Sequence, residues 1–383
     1  VIEIRTATEA DWSEMFAQDV RAFGSPFESD AAPFIRRTLD LSRFVVARDT
    51  VDGALVGVAG SFALTLTVPG GAQLDVPGVT WVSVAPSHRR LGVLRSMLDE
   101  LHARFRAEGA AVAILHASEG TIYERFGYGT ASHIDEVVLA RRTARLRSPL
   151  PGPLRTRAVE GDAARERVEE LYRRWHAATP GSVSAEQFWE IFHDDPEWLR
   201  WGGSARRYLV HPDGYVTYRV DEKERAQIDD VRAVTDEAAA DLWQTVLGLD
   251  VFDEVTADLP PDHPLPEMLV DPRAVKVVAR RDRLWLKFFD VAAALEARTY
   301  ESDGDVVLGV DGRAYRLTVT GGAGRCHETD ETPSVTVTGP TLAGLYLGAV
   351  SPSTMARAGR VDGDGAALRI FVTSQRPDPG VPF

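Results

Sequence analysis

Cysteine is the scarcest of the chemically reactive residues in this chain. A single residue, Cys326, stands among 383, which excludes an intrachain disulfide and any metal cluster built on cysteine ligands; no metal is expected. Long apolar runs are missing as well. No stretch approaches the roughly 20 residues needed to cross a bilayer, and the opening VIEIRTATEADW has neither the basic segment nor the apolar segment of a secretory signal. The expectation is a cytoplasmic protein without membrane association. Positive charge is the third shortage: 43 Lys and Arg face 57 Asp and Glu, for a net charge of −14. Such a field repels nucleic acid and anionic lipid and favours cationic ligands, although a solvated acidic surface gives the same balance. The remaining composition, 44% hydrophobic and 26% charged, is that of an ordinary globular chain. Its length suits two or three domains, each with its own core.

The most informative stretch runs from Val79 to Tyr128. Val79, Trp81, Val82 and Val84 predict a strand, which Pro86 stops, and Arg89-Arg90-Leu91-Gly92-Val93 leads straight into a helix. Leu94, Met97, Leu98, Leu101 and Phe105 recur at helical spacing, with Gly109 at the C-cap. A helix that starts at a glycine beside two arginines offers free backbone N–H groups, the positive end of its dipole and two cations to one point, an arrangement suited to a pyrophosphate. A second strand follows at Ala111 to His116, then a short helix ending at Gly127.

This stretch resembles the acyl-CoA loop of the GCN5-related N-acetyltransferases. With LHASEGTIYERFGYG, HPDGYVTYRVD, LWLKFFDVAAALEARTY and LYLGA, the whole chain resembles the enhanced intracellular survival (Eis) family of those enzymes. The resemblance implies an α+β chain of three parts. They are a catalytic acetyltransferase domain at 1–150, ending at the SPLPGP break, a degenerate acetyltransferase-like domain at 151–282, and a sterol-carrier-like domain at 283–383 with a tail that returns to the active site. It implies acetyl-CoA as cosubstrate, contacted by Val82, Ser83, Val84, Arg89, Arg90, Gly92, Val93 and Ser118. It also implies Tyr123 as proton donor to the departing thiolate, the C-terminal carboxylate of Phe383 as base, and a homo-hexamer. A tyrosine near pKa 10 can protonate a thiolate near 8.5; a buried tyrosine bonded to backbone is the alternative reading of Tyr123. Ser25 and Trp81 join Phe23, Phe27 and Phe34 as candidates for the acceptor pocket, although core packing is the commoner reason for any one of those phenylalanines. His116, His133 and Cys326 are expected to be structural.

The second part repeats the order of strands, helix, strand, but its helix opens with Thr235-Asp236-Glu237. Two carboxylates there cap the helix and repel phosphate, so this copy is expected to keep the fold without the cofactor. The family substrates implied are amines of polycationic small molecules, such as aminoglycoside or cyclic-peptide antibiotics, acetylated directly in a ternary complex. A protein lysine as acceptor, or a lipid-binding or assembly module with a vestigial acetyltransferase, are the other readings.

Overall fold

A computed structural model of the chain describes residues 1–24, 31–200 and 202–380. The first part comprises β1 (Ile2–Thr6), α1 (Trp12–Phe23), α2 (Ala32–Arg37), β2 (Phe44–Asp49), β3 (Leu55–Thr67), β4 (Gln73–Val84), α3 (Val93–Ala107), β5 (Val112–His116), β6 (Gly129–Thr130) and β7 (His133–Ala140). The second has β8 (Arg157–Val159), α4 (Asp162–Ala178), α5 (Trp189–Asp194), β9 (Arg207–His211), β10 (Gly214–Val220), β11 (Ala226–Ala233), α6 (Asp236–Leu247), β12 (Glu254–Leu259), α7 (Leu265–Met268) and β13 (Val275–Asp282). Then come β14 (Leu284–Phe288), α8 (Val291–Ala297), β15 (Gly304–Val310), β16 (Arg313–Thr320), β17 (Ala323–Thr329), β18 (Val335–Val337), α9 (Gly339–Tyr346), α10 (Pro352–Arg357) and β19 (Asp362–Gly363). These strands form three sheets, ordered β1-β2-β3-β4-β5-β14-β6, β13-β7-β12-β11-β10-β9-β8 and β17-β16-β15-β18-β19.

The first sheet is buried on both faces, which is why β2 and β3 read as unbroken apolar runs rather than alternating ones. Phe44, Val46 and Val58 pack with Met15 of α1. Val45, Ala47, Val56 and Val79 pack with Val93, Met97, Leu98, Leu101 and Phe105, the apolar stripe of α3. The second sheet repeats this plan in the same element order, with α4 in the place of α1 and α6 in the place of α3.

The sheets do not follow the sequence breaks near 150 and 283. β7 runs on from the first part into the second sheet, between β12 and β13. β14, at the head of what the sequence marks as the last part, returns to the first sheet between β5 and β6. The two sheets thus exchange one strand each. β12 begins only at Glu254, three residues after Val251. The turn after α6 is still closing there, with Phe252 N–H bonded to the Leu249 carbonyl at 3.2 Å, and Val251 is 84% exposed. The short helix before Gly127 is one 3-10 turn, Glu124–Phe126.

Candidate active site

β4 and β5 share two parallel pairs, Gly78 with Ile114 and Val79 with Leu115, and then separate. β5 gives its other edge to β14, with His116 opposite Leu284, while β4 continues along β3. A wedge opens between the end of β4 and the loop after β5. Inside it β4 carries one residue more than its partner: Thr80 pairs with Gly60 and Ser83 with Val58, so Trp81 and Val82 share one position. Trp81 takes φ +55°, a left-handed value rare for a large side chain. The bulge frees backbone groups from the ladder at the mouth of the wedge.

Eight residues separate the end of β4 from the start of α3. Gly92 is the N-cap, at φ +84° and without a side-chain cap, and Arg90 before it has φ +66°. The first intrahelical bond is from Ser96 N–H to the Gly92 carbonyl at 3.0 Å, so the N–H groups of Val93, Leu94 and Arg95 have no partner within the helix. Arg89 and Arg90 are exposed and form no ion pair with any described residue. The start of α6 offers the contrast. Thr235 caps it through its own hydroxyl, which accepts from Ala238 N–H at 3.2 Å, and Asp236 and Glu237 fill its first turn. One helix end is open to a phosphate and the other is closed.

Tyr123 and Tyr128 meet edge to face, 6.2 Å apart, and their hydroxyls differ. Tyr128 is fully buried and its oxygen lies 3.0 Å from His102 Nε2. The Tyr123 hydroxyl bonds to no described residue. Burial pushes its pKa up to about 12, so it keeps its proton at neutral pH.

The other face of the wedge belongs to α1. Trp81 lies 5.7 Å from Trp12 and 6.1 Å from Phe44, ring to ring. Ser83, paired with Val58 on the α1 side, is 5% exposed and its hydroxyl is unpartnered. On α1 itself, Asp19 stands one helical turn beyond Met15 and two beyond Trp12, on the face turned to the sheet. It makes no ion pair or hydrogen bond with a described residue, and burial alone raises its pKa to about 7. His116, at the apex of the wedge, is held to about 3 by burial and by Arg283, so it is neutral.

Residues 3–131 and 182–287 each match an acetyltransferase (GNAT) domain family, and residues 291–377 a sterol carrier protein domain. N-acetyltransferase Eis of Mycobacterium tuberculosis (strain ATCC 25177 / H37Ra) is 37% identical over 373 residues, covering 94% of this chain and 93% of the relative. The chain belongs to the Eis family of GCN5-related N-acetyltransferases. The crystal structure of Eis1 from Mycobacterium abscessus covers 100% of both chains at 32% identity with a TM-score of 0.88. A GCN5-related N-acetyltransferase from Anabaena variabilis, 16% identical at TM-score 0.85 over 98% of each chain, shares the fold. An Eis-family acetyltransferase domain implies acetyl-CoA as the acyl donor, and the residues present fit it: an open helix end, two free arginines and a wedge between strands.

Of the residues expected at an Eis-type site, Val82, Ser83 and Val84 line the wedge, and Arg89, Arg90, Gly92 and Val93 form the turn into α3. Ser118 is exposed in the loop after β5, and Tyr123 is in the segment that follows. Trp81 faces α1. Phe34 is half-buried, with the Arg37 guanidinium 4.8 Å above its ring, while Phe23 is 50% exposed at the end of α1. Ser25, Phe27 and Phe383 lie outside the described residues. His133 opens β7 in the second sheet, and burial lowers its pKa. A cavity of about 830 Å³ lies elsewhere, at the far end of β4 between Asp75, Glu108 and Arg173, and takes no part in the wedge. Sequence reading passed over Asp19. Its signal was a carboxylate at helical spacing from Trp12 and Met15, on a stripe that is otherwise apolar.

Proposed function

We propose that this acetyltransferase moves the acetyl group of acetyl-CoA directly onto a primary amine of a polycationic small molecule, of the aminoglycoside or cyclic-peptide class. The observation that carries the reading is Asp19: an unpaired, half-buried carboxylate on the α1 side of the wedge, opposite the side that offers a phosphate site. It suits a cationic acceptor.

In this reading the open N-terminus of α3, Arg89 and Arg90 hold the pyrophosphate, and the backbone of Val82 to Val84 lines the pantetheine. The Val84 N–H faces the thioester carbonyl as charge develops on it. The amine arrives as an ammonium and must lose a proton, at a cost of about 4.6 kcal/mol for a lysine-like group at neutral pH. Asp19 near 7 holds the cation and can accept that proton; the C-terminal carboxylate of Phe383 is the second candidate base. The last described residue of the tail approaches the first sheet from the α4 side. Gly380 lies against Tyr172, whose hydroxyl donates to the Val183 carbonyl at 2.6 Å, and Val183 bridges to Leu66 on β3. The amine attacks the thioester carbon, the C–S bond breaks as the tetrahedral intermediate collapses, and Tyr123 protonates the thiolate. Cys326, on β17 with its thiol pushed up to about 12 by burial, offers no acyl-enzyme route.

The lipid-binding alternative is opposed by Arg298. Its guanidinium is 1% exposed inside the third part, bonded to the carbonyl of Tyr346 at 2.5 Å and set over Tyr300 at 4.6 Å, where an alkyl chain would need an apolar lining. The test is CoA release against a panel of aminoglycosides, capreomycin-like peptides, polyamines and lysine peptides, with mass spectrometry of products. Turnover confined to lysine peptides, or none despite acetyl-CoA binding, would overturn the small-molecule reading. A homo-hexamer belongs to the same proposal, checked by light scattering.

A further inference from the structure

The second part keeps a wedge of its own. β11 and β12 share two parallel pairs, Ala226 with Val255 and Gln227 with Thr256, and then separate as β4 and β5 do. β11 also carries a bulge at the corresponding point: Ile228 pairs with Tyr218 and Asp230 with Thr217, leaving Asp229 extra. Counting from the bulge, Asp229 and Asp230 answer to Trp81 and Val82, and Arg232 answers to Val84. The copy that closed its phosphate site has therefore preserved the gap between strands, and has placed a buried arginine where the first copy has its thioester-facing valine.

That gap is occupied by the chain itself. Residues 374–380 run extended across it, and every second residue is fastened. Ser374 N–H and hydroxyl bond to Glu301 at 2.5 and 2.8 Å. Arg376 pairs with Asp262 at 2.9 Å, on the loop that follows β12, and donates to the Gly348 carbonyl at 2.7 Å. Asp378 pairs with Arg232 at 2.9 Å, on β11, while its N–H donates to the Pro180 carbonyl at 3.0 Å. The tail thus ties the loop after one diverging strand to the other strand. Between these ties Pro377 and Pro379 are buried, and a cavity of about 370 Å³ remains beside Trp243 and His263.

Arg232 is built for this contact. It is 8% exposed, lies 4.2 Å over the Trp175 ring and pairs with Asp230 at 2.7 Å, whose other oxygen accepts from the Tyr215 hydroxyl. Tyr215, Asp230 and Trp175 fix the guanidinium before the tail arrives, so Asp378 meets an ordered partner. Gly380 completes the fit. At φ +71° its added Cβ would stand 2.5 Å from the Tyr172 hydroxyl oxygen.

We infer that the degenerate domain has kept its strand gap as a docking groove for the chain's own C-terminal tail, with Arg232 as the residue that positions it. The docking stands on the geometry alone; its service to acetyl transfer rests on the function proposed above. A positioned tail also has a physical purpose, because a free ten-residue terminus would lose its conformational freedom anew in each encounter with the site.

The test uses the full chain with Asp378→Asn, which leaves Arg232 paired to Asp230, with Gly380→Ala as an independent variant and Asp378→Glu as the conservative rescue. Hydrogen exchange of the Arg376, Asp378 and Gly380 amides is the primary readout, and kcat and KM with kanamycin and with spermine as acceptors are the second. The expected result is exchange at least tenfold faster, a melting temperature within about 2 °C of the parent, kcat down about tenfold with KM for acetyl-CoA unchanged, and recovery in Asp378→Glu. Unchanged exchange in both Asp378→Asn and Gly380→Ala would overturn the docking. Faster exchange with kcat unaffected, in these variants and in a chain ending at Gly380, would sustain the docking and overturn the carboxylate reading of Phe383.

Discussion

Tyr123 and Tyr128 share a motif and a contact, yet only one is free to do chemistry. Because Tyr128 is bonded to His102 and Tyr123 to nothing described, Tyr123→Phe should keep the packing and lose the proton donor. We expect kcat to fall about 10²-fold or more with KM for acetyl-CoA within about threefold, measured by steady-state CoA release; equal losses in both would mark it as a packing residue. Asp19 gives a second prediction at this scale. Burial holds its carboxyl up at about 7, above the unfolded value, so between about pH 4 and 7 the folded chain keeps a proton that the unfolded chain has lost. The stability contributed is full below about pH 4 and declines as pH rises to about 7. Asp19→Asn should flatten that decline and be more stable than the parent at about pH 8 by on the order of 2 kcal/mol of unfolding free energy, while raising KM for a polyamine acceptor. A parallel pH dependence in the two proteins would show that Asp19 is solvated.

At the scale of the element, the start of α3 separates backbone geometry from sterics. A Cβ on Gly92 would meet no atom within 4 Å, yet its φ is +84°. Gly92→Ala therefore strains only the backbone, by on the order of 1 kcal/mol. Relief of that strain would turn the N–H groups of 93–95 away from a common point. The variant should melt slightly lower and raise KM for acetyl-CoA several-fold, with kcat within about twofold; unchanged KM would remove the loop from cofactor binding. The same element shows what could be read in advance. Glycine beside two arginines, followed by a stripe of Leu94, Met97, Leu98, Leu101 and Phe105, marked both the helix and its uncapped start. The bulge at Trp81 could not be read, because an extra residue in a strand is defined only by its partner, and β3 lies far enough along the chain for register to be set by packing.

The whole molecule is tied together by exchange. β14 covers the edge of β5 and β7 sits inside the second sheet, and α9 packs against β6 and β14. One apolar cluster accordingly joins Val112 and Ile114 of the first sheet to Leu284, Leu342 and Tyr346. Residues 1–150 expressed alone would leave β5 with an open edge and this cluster half exposed. We expect an insoluble or dye-binding product; a soluble fragment that melts cooperatively would show that the first part is self-sufficient.

What the sequence determined by itself was local or carried by motif: the glycine turn into α3, the acidic cap of α6, the family and its three-part order. These depend on residues near one another in the chain, whose spacing fixes their geometry. The tertiary structure decided the rest. It set which tyrosine is left unbonded, where Asp19 faces, the strands traded between sheets, and the pairing of Asp378 with Arg232 across 146 residues. Each of these brings together groups distant in sequence, and such contacts exist only once burial of the apolar faces has chosen a single way to close the chain.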